Sequence, residues 1–161
     1  MSTYNFDYII VGAGAAGLNL ALAMDADTFF RDKSILILDK VRKNENDRTW
    51  SFWETGHGKW GTLVTKTWSK GVVKANGETV NLDLKKYKYK TLRSADFYAH
   101  AKTSLKQPKF TWKLENVEKI VQSGHGAIVS TEDNSYTGKY VFDSRVPANY
   151  SLEDPNYLNI V

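Results

Sequence analysis

The chain has 161 residues, of which 42% are apolar and 25% charged, enough for one compact globular domain with a core. It contains no cysteine, which excludes a disulfide framework and a Cys-ligated metal and fits a cytoplasmic setting. No apolar run approaches the roughly 18 residues of a membrane span, and the N-terminal run is too short and not basic enough for a secretory signal. The formal net charge of +4 is read as a lysine-rich solvated face rather than a surface for nucleic acid or an anionic membrane.

Asp7–Val11 reads as a buried strand, since Tyr8, Ile9, Ile10 and Val11 are strand formers. Ala15–Met24 reads as a helix, and Ser34–Asp39 as a second buried strand. Continuous apolar runs are what parallel strands covered on both faces require. Val41–Lys59 is polar and reads as a long irregular loop, the kind that usually has a function.

A β-rich stretch follows. Asn76-Gly77 signals a type I′ hairpin between Val72–Ala75 and Glu78–Leu82. Val80, Leu82 and Leu84 alternate, which predicts one buried face. Ser94 is expected to cap a helix reaching about Leu105, with Phe97, Ala101 and Leu105 on one side and Pro108 beyond its end. Strands are expected at Val117–Gln122, Ala127–Thr131 and Lys139–Phe142, with Gly124-His125-Gly126 as a turn. Ile160-Val161 reads as the first residues of a further strand, as in a chain truncated before its C-terminal part.

Gly12-Ala13-Gly14-Ala15-Ala16-Gly17 matches the phosphate loop G-x-G-x-x-G and sits between the first strand and the helix. Gly12 allows the tight turn, Gly14 lets a pyrophosphate approach the backbone, and Gly17 lets the helix pack closely on the sheet. The helix N-terminus offers N–H groups and partial positive charge to phosphates. Asp39, closing the second strand, suits the ribose hydroxyls and would repel a 2′-phosphate, which argues against NADP. These features imply a Rossmann-like FAD/NAD(P)-binding α/β domain with an inserted β-rich segment. They do not separate NAD from FAD. A loop this close to the N-terminus, followed by a β-rich excursion, is the arrangement of many flavoproteins.

The segment Asn46-Asp47-Arg48-Thr49-Trp50-Ser51-Phe52-Trp53 is more specific. Together with DYIIVGAGAAGLNLA, ILDK, YKTLRSADFY and YVFDSR, it resembles the N-terminal part of the lycopene cyclases, across essentially the whole chain. The resemblance implies FAD, used in its reduced form, with NADPH possible as reductant only. It also implies a substrate, lycopene or a related linear carotenoid, whose end groups close to β-rings without net redox change. A proton adds to the terminal double bond, an internal double bond attacks the cation, and a proton leaves. A carotenoid dissolved in the bilayer implies a cytoplasmic protein peripherally associated with the membrane surface. Carried onto this sequence, the cofactor-binding residues are Gly12, Ala13, Gly14, Ala15, Ala16, Gly17, Asp39, Lys40, Arg48, Thr49, Trp50 and Asp143. The family has Asp-Ala-Arg-Gly where this chain has Asp143-Ser144-Arg145-Val146. The family's downstream acidic motif is not in the chain, so the catalytic acid is unassigned and this portion alone is expected to be inactive. The expected organisation is residues 1–60 as βαβ and flavin loop, 61–116 as the start of the substrate region, and 117–145 as a β-meander returning to the nucleotide-binding sheet.

Other residues carry weaker signals. Glu54 is the one acid just after the tryptophans and a weak acid/base candidate. Trp50 and Trp53 could line a polyene channel and stabilise a cation, or wedge the loop onto the core. Arg93 could touch the cofactor or form a surface ion pair. His57, His100 and His125 lack metal-ligand spacing, so no metal site is expected. Lys85–Lys90 alternates lysine with tyrosine and is read as a strand with solvated lysines and buried tyrosines, with anionic lipid as a further possible contact. Two alternatives stand beside the cyclase: another FAD-dependent isoprenoid reductase or hydroxylase, and a non-catalytic dinucleotide-binding module.

Overall fold

The computed structural model describes residues 2–124 and 126–145. His125 and the expected strand start at Ile160-Val161 lie outside the described residues. The chain runs β1 (Ser2–Val11), α1 (Ala15–Ala26), β2 (Ile35–Asp39), β3 (Thr49–Thr55), β4 (Val64–Trp68), β5 (Lys70–Ala75), β6 (Glu78–Asp83), β7 (Tyr87–Arg93), α2 (Ser94–Ser104), β8 (Phe110–Leu114), β9 (Val117–Ser123), β10 (Gly126–Thr131) and β11 (Asn134–Asp143). It forms two units, residues 1–42 with 107–161, and residues 43–106.

The first unit is built on one sheet in the order β8-β2-β1-β11-β10-β9. β8, β2, β1 and β11 are parallel, and β10 and β9 add an antiparallel edge. Ile9, Ile10, Val11 and Ile35–Leu38 are all buried, as strands covered on both faces must be. Helix α1 makes the crossover from β1 to β2 and buries Leu18, Ala21 and Met24. Ile9, Val11, Leu36 and Leu38 join Val117, Val129 and Tyr136 of the antiparallel strands in one apolar cluster. Each such aliphatic side chain contributes about 1.5–3 kcal/mol when fully buried. Beside this cluster the Glu115 carboxylate accepts hydrogen bonds from Thr131 Oγ1 (2.7 Å), Tyr136 Oη (2.8 Å) and Asn134 Nδ2 (3.1 Å). Burial pushes Glu115 up, but those donors outweigh it and leave its pKa below the usual value.

Three strands of this sheet exceed the sequence reading. β1 begins at Ser2 rather than Asp7, because its first residues pair with Asn134–Thr137 of β11. β8 follows directly after Pro108, because Phe110 and Trp112 can pair beside Ile35 and Ile37. β11 is ten residues long rather than Lys139–Phe142, because its first half pairs with β10 while its whole length flanks β1.

The second unit holds a three-stranded sheet β3-β7-β4, the hairpin β5-β6, and α2. Four expectations are corrected here. Val41–Lys59 is not wholly irregular, because Thr49–Thr55 pairs with β7 along its full length. Val80 and Leu82 are not buried but 52% and 38% exposed, because among the described residues β5 and β6 pair only with each other. The lysine and tyrosine faces of β7 are also reversed, with Lys90 buried and Tyr87 exposed. Strand parity sets this: Lys90 and Leu92 stand opposite Phe52 and Trp50, on the face where Trp50 meets Phe97 and Tyr98 of α2. Ser94 is the first residue of α2 rather than its cap, and its hydroxyl bonds to the Asp47-Arg48 segment instead. The Asn76-Gly77 turn is as expected, with φ of 50° and 80°.

Candidate cofactor-binding site

The phosphate loop lies where three parallel strands end together. Val11 pairs with Leu38 of β2 and with Asp143 of β11, so the glycine loop, Asp39 and Asp143 share the carboxyl edge of the sheet. In open α/β sheets that edge is where ligands bind.

Each loop glycine answers a different need. Gly12 has φ of +100°, which only glycine adopts freely. A Cβ on Gly12 would also strike Ser144 Oγ. A Cβ on Gly17 would strike the Gly12 carbonyl oxygen and lie 3.0 Å from Ile10 Cγ2, so Gly17 is where helix and strand pack closest. A Cβ on Gly14 would meet no atom of the described residues within 4 Å, and φ there is −83°. Neither packing nor backbone conformation requires glycine at position 14. Its missing side chain leaves open space at the mouth of a helix.

That helix end carries no cap of its own. Gly14 provides no side-chain hydrogen bond, and the first turn of α1 has no acidic residue. The first intrahelical bond runs from Leu18 N–H to Gly14 O at 3.0 Å. The N–H groups of Ala15, Ala16 and Gly17 therefore precede the helical ladder and are available to an anion.

Asp39 braces this loop. One carboxylate oxygen accepts from Ala13 N–H at 2.7 Å and the other from Val41 N–H at 2.8 Å. A carboxylate offers about four acceptor sites, so two remain for ribose hydroxyls. Lys40, next to it, is exposed. Ser144 closes the loop from the other side, its N–H and Oγ both donating to Val11 O at 2.9 Å. Sequence reading flagged Ser144 only as a departure, yet it clasps the turn at Gly12. Asp143 forms a two-pronged pair with Arg145, with Nε and Nη2 at 2.9 and 2.8 Å, and Arg145 Nη1 also donates to the Val117 carbonyl. The Arg145 guanidinium holds the Asp143 carboxyl below its usual range.

Arg48, Thr49, Trp50 and Glu54 belong to the second unit. There Asp47 is the anchor that sequence reading passed over in favour of Arg48. Its Oδ1 accepts from Ser94 Oγ at 2.8 Å and Tyr98 Oη at 2.9 Å, while Arg48 N–H donates to Ser94 Oγ at 3.0 Å. Burial raises the Asp47 pKa, but the Ser94 and Tyr98 hydrogen bonds win and lower it. The signal lay inside the quoted motif, as an acid two residues before Thr49 and a serine opening a helix. The Arg48 side chain is exposed, with Nη1 donating to Asp47 O.

The two tryptophans take different roles. Trp50 stands edge-on to Phe97 and Tyr98 with ring centres 5.5 and 5.8 Å apart, so it wedges β3 onto α2. Trp53, on the other face, is 58% exposed and continues through Tyr89 to Trp68 as a cross-strand aromatic row. Glu54 pairs with buried Lys90 at 2.8 Å, and Lys90 Nζ also donates to Gly56 O and His57 O. Arg93 pairs with Asp96 on the surface. Among the described residues no group of three or more His, Asp or Glu side chains is placed to hold a metal ion.

The family model described as lycopene cyclase protein matches residues 7–158. Comparison with curated protein sequences gives no match. Among solved structures, the chain is similar to NikD, an unusual amino acid oxidase essential for nikkomycin biosynthesis, in its open form, at 14% identity and a TM-score of 0.59 over 88% of this chain and 51% of that one. It is similar to the halogenase PltM at 13% identity and a TM-score of 0.63, covering 87% of this chain and 34% of that one. It is also similar to the flavin-dependent brominase Bmp2 at 14% identity and a TM-score of 0.62, covering 86% and 37%. The chain thus spans about half the length of the first of these and about a third of the others. At such identities the likeness shows the fold, which is the Rossmann-like FAD-binding one.

Proposed function

The chain belongs to the lycopene cyclase protein family, and from that premise we propose that it is the FAD-holding portion of an enzyme that closes the linear ends of lycopene into β-rings. The observation that carries the cofactor reading is Gly14: among the described residues nothing requires a glycine there, and the space sits against an uncapped helix N-terminus. A pyrophosphate fits both the space and the charge.

In this reading the N–H groups of Ala15, Ala16 and Gly17 take the phosphate oxygens. Gly12 and Gly17 keep the loop in shape, Ala13 is tied to Asp39, and the free lone pairs of Asp39 take the ribose hydroxyls. A 2′-phosphate beside Asp39 would be repelled, so NADPH serves as external reductant only. Reduced FAD, when bound, supplies negative charge that stabilises the carbocation formed on the polyene. Lys40 and Asp143 complete the proposed cofactor contacts of this unit, Asp143 with its charge already balanced by Arg145. The row Trp53-Tyr89-Trp68 offers flat apolar faces to a polyene and π-electrons to a cation. Glu54 is held in its pair with Lys90 and serves the architecture of the second unit. The polyene resides in the bilayer, so the enzyme works in peripheral contact with a membrane.

Two measurements test this reading. The purified chain should release FAD on denaturation, identified chromatographically. Lycopene-accumulating cells expressing the open reading frame that contains this chain should form β-ring carotenoids, and unchanged lycopene would sink the cyclase reading.

A further inference from the structure

The hairpin β5-β6 is the one place where the second unit turns an apolar strand face outward without a third strand beside it, among the described residues. Register pairs Val73 with Val80 and Gly71 with Leu82, so these residues share a face. Val73, Val80 and Leu82 are all exposed on it. The opposite face carries Lys70, the exposed Val72 and Lys74, in register with Asp83, Asn81 and Thr79, so apolar and basic groups are presented together. Directly after the hairpin, Leu84 joins Trp53 and Tyr87 in an open apolar hollow of about 370 Å³.

The hairpin and the segments flanking it in sequence are strongly basic. Between positions 66 and 88 there are six lysines, at 66, 70, 74, 85, 86 and 88, against two acids, Glu78 and Asp83. Among the described residues none of these six lysines is held in an ion pair. Exposed valine, leucine, tryptophan and tyrosine with unpaired lysines around them is the composition of a surface that meets an anionic bilayer. The apolar groups enter the headgroup boundary, the aromatic rings sit at that level, and the lysine stems reach back to lipid phosphates.

We propose that the β5-β6 hairpin and the adjoining Trp53-Leu84-Tyr87 hollow are the element by which this protein docks on an anionic lipid surface. The inference rests on the membrane contact proposed above and assigns the surface that makes it.

The test is co-sedimentation of the full chain with vesicles of phosphatidylcholine alone or mixed with about one third phosphatidylglycerol. Binding should need the anionic lipid and fall with salt. Lys70→Gln with Lys74→Gln should weaken binding roughly 25-fold, at about fivefold per lysine. Val73→Thr with Val80→Thr keeps β-branched shape but not apolarity and should weaken it about tenfold or more. Circular dichroism and flavin content, measured in parallel, monitor folding and the cofactor site. The proposal is overturned if the chain ignores anionic vesicles, if both variant pairs bind as the parent does, or if the valine pair instead dissolves a dimer seen by ultracentrifugation. An unsubstituted chain that carries flavin yet does not bind anionic vesicles would count against this inference alone. Absence of flavin with vesicle binding intact would count against the cofactor reading.

Discussion

Gly14 and Gly17 are three residues apart in one loop, and the structure assigns them opposite consequences on substitution. At Gly17 a Cβ meets the Gly12 carbonyl oxygen and Ile10 Cγ2, both fixed by the sheet. Gly17→Ala should therefore cost toward the upper end of the roughly 1–3 kcal/mol of overpacking. For a chain of this size that is a fall in Tm of about 4–10 °C. At Gly14 a Cβ meets no atom of the described residues, and the backbone is in an extended conformation open to any residue. Gly14→Val should leave apo stability unchanged or raised by up to about 1 kcal/mol, because the unfolded chain loses freedom. The same substitution fills the proposed pyrophosphate space and should forfeit charge-assisted hydrogen bonds of about 1.5–3 kcal/mol each. Two lost bonds amount to a hundredfold or greater loss of flavin affinity. The assays are thermal denaturation of the flavin-free proteins and calorimetric titration with FAD. Gly14→Val that melts as early as Gly17→Ala, or that keeps stoichiometric flavin, refutes the division of labour.

Other outcomes follow from the second unit and from the sheet edge. Lys90→Met leaves the Glu54 carboxylate and two carbonyls without their shared donor. It should lower stability by about 3 kcal/mol in denaturant unfolding, with partial recovery when Glu54→Gln is added. Ser94→Ala removes both the donor to Asp47 and the acceptor for Arg48 N–H, and should cost about 1–3 kcal/mol by the same measurement. Asp7 is depressed from 3.8 to about 2, first by the hydrogen bond from Lys139 and then by Ser34 N–H. A depressed carboxylate contributes stability that is fully present above its unfolded pKa and is lost as pH falls through the folded one. The Tm advantage of the parent over Asp7→Asn should thus be constant above about pH 5, shrink as pH falls toward 2 and vanish only below it, and an advantage undiminished at pH 2 would contradict it. Lys139 is exposed, so added salt should shrink that advantage.

The βαβ unit was legible because its determinants are short-range. Two unbroken apolar runs, an alanine-rich stretch between them and three glycines at fixed spacing state strand, helix and close approach within about forty residues. The type I′ turn at Asn76-Gly77 was legible for the same reason, since φ > 0 at both positions is a local demand. The membership implied by the segment around Arg48 and Trp50 likewise matched the family model.

Tertiary structure decided whatever depends on parity or on distant partners. A strand's period of two says that its faces differ, not which one is inward, so the buried side of β7 was set by Trp50 opposite Leu92 and by α2 beneath. The same ambiguity hid the exposure of Val80 and Leu82, because alternation cannot report whether another strand lies alongside. Asp47 meets Ser94 and Tyr98 across 47 and 51 residues, and Ser144 reaches Val11 across 133. No local pattern encodes such pairings. Sequence alone thus specified the phosphate loop and the family. The fold decided what braces that loop, which tryptophan is structural and which is exposed, and that Lys90 lies inside, because those outcomes are set by neighbours that only chain closure brings together.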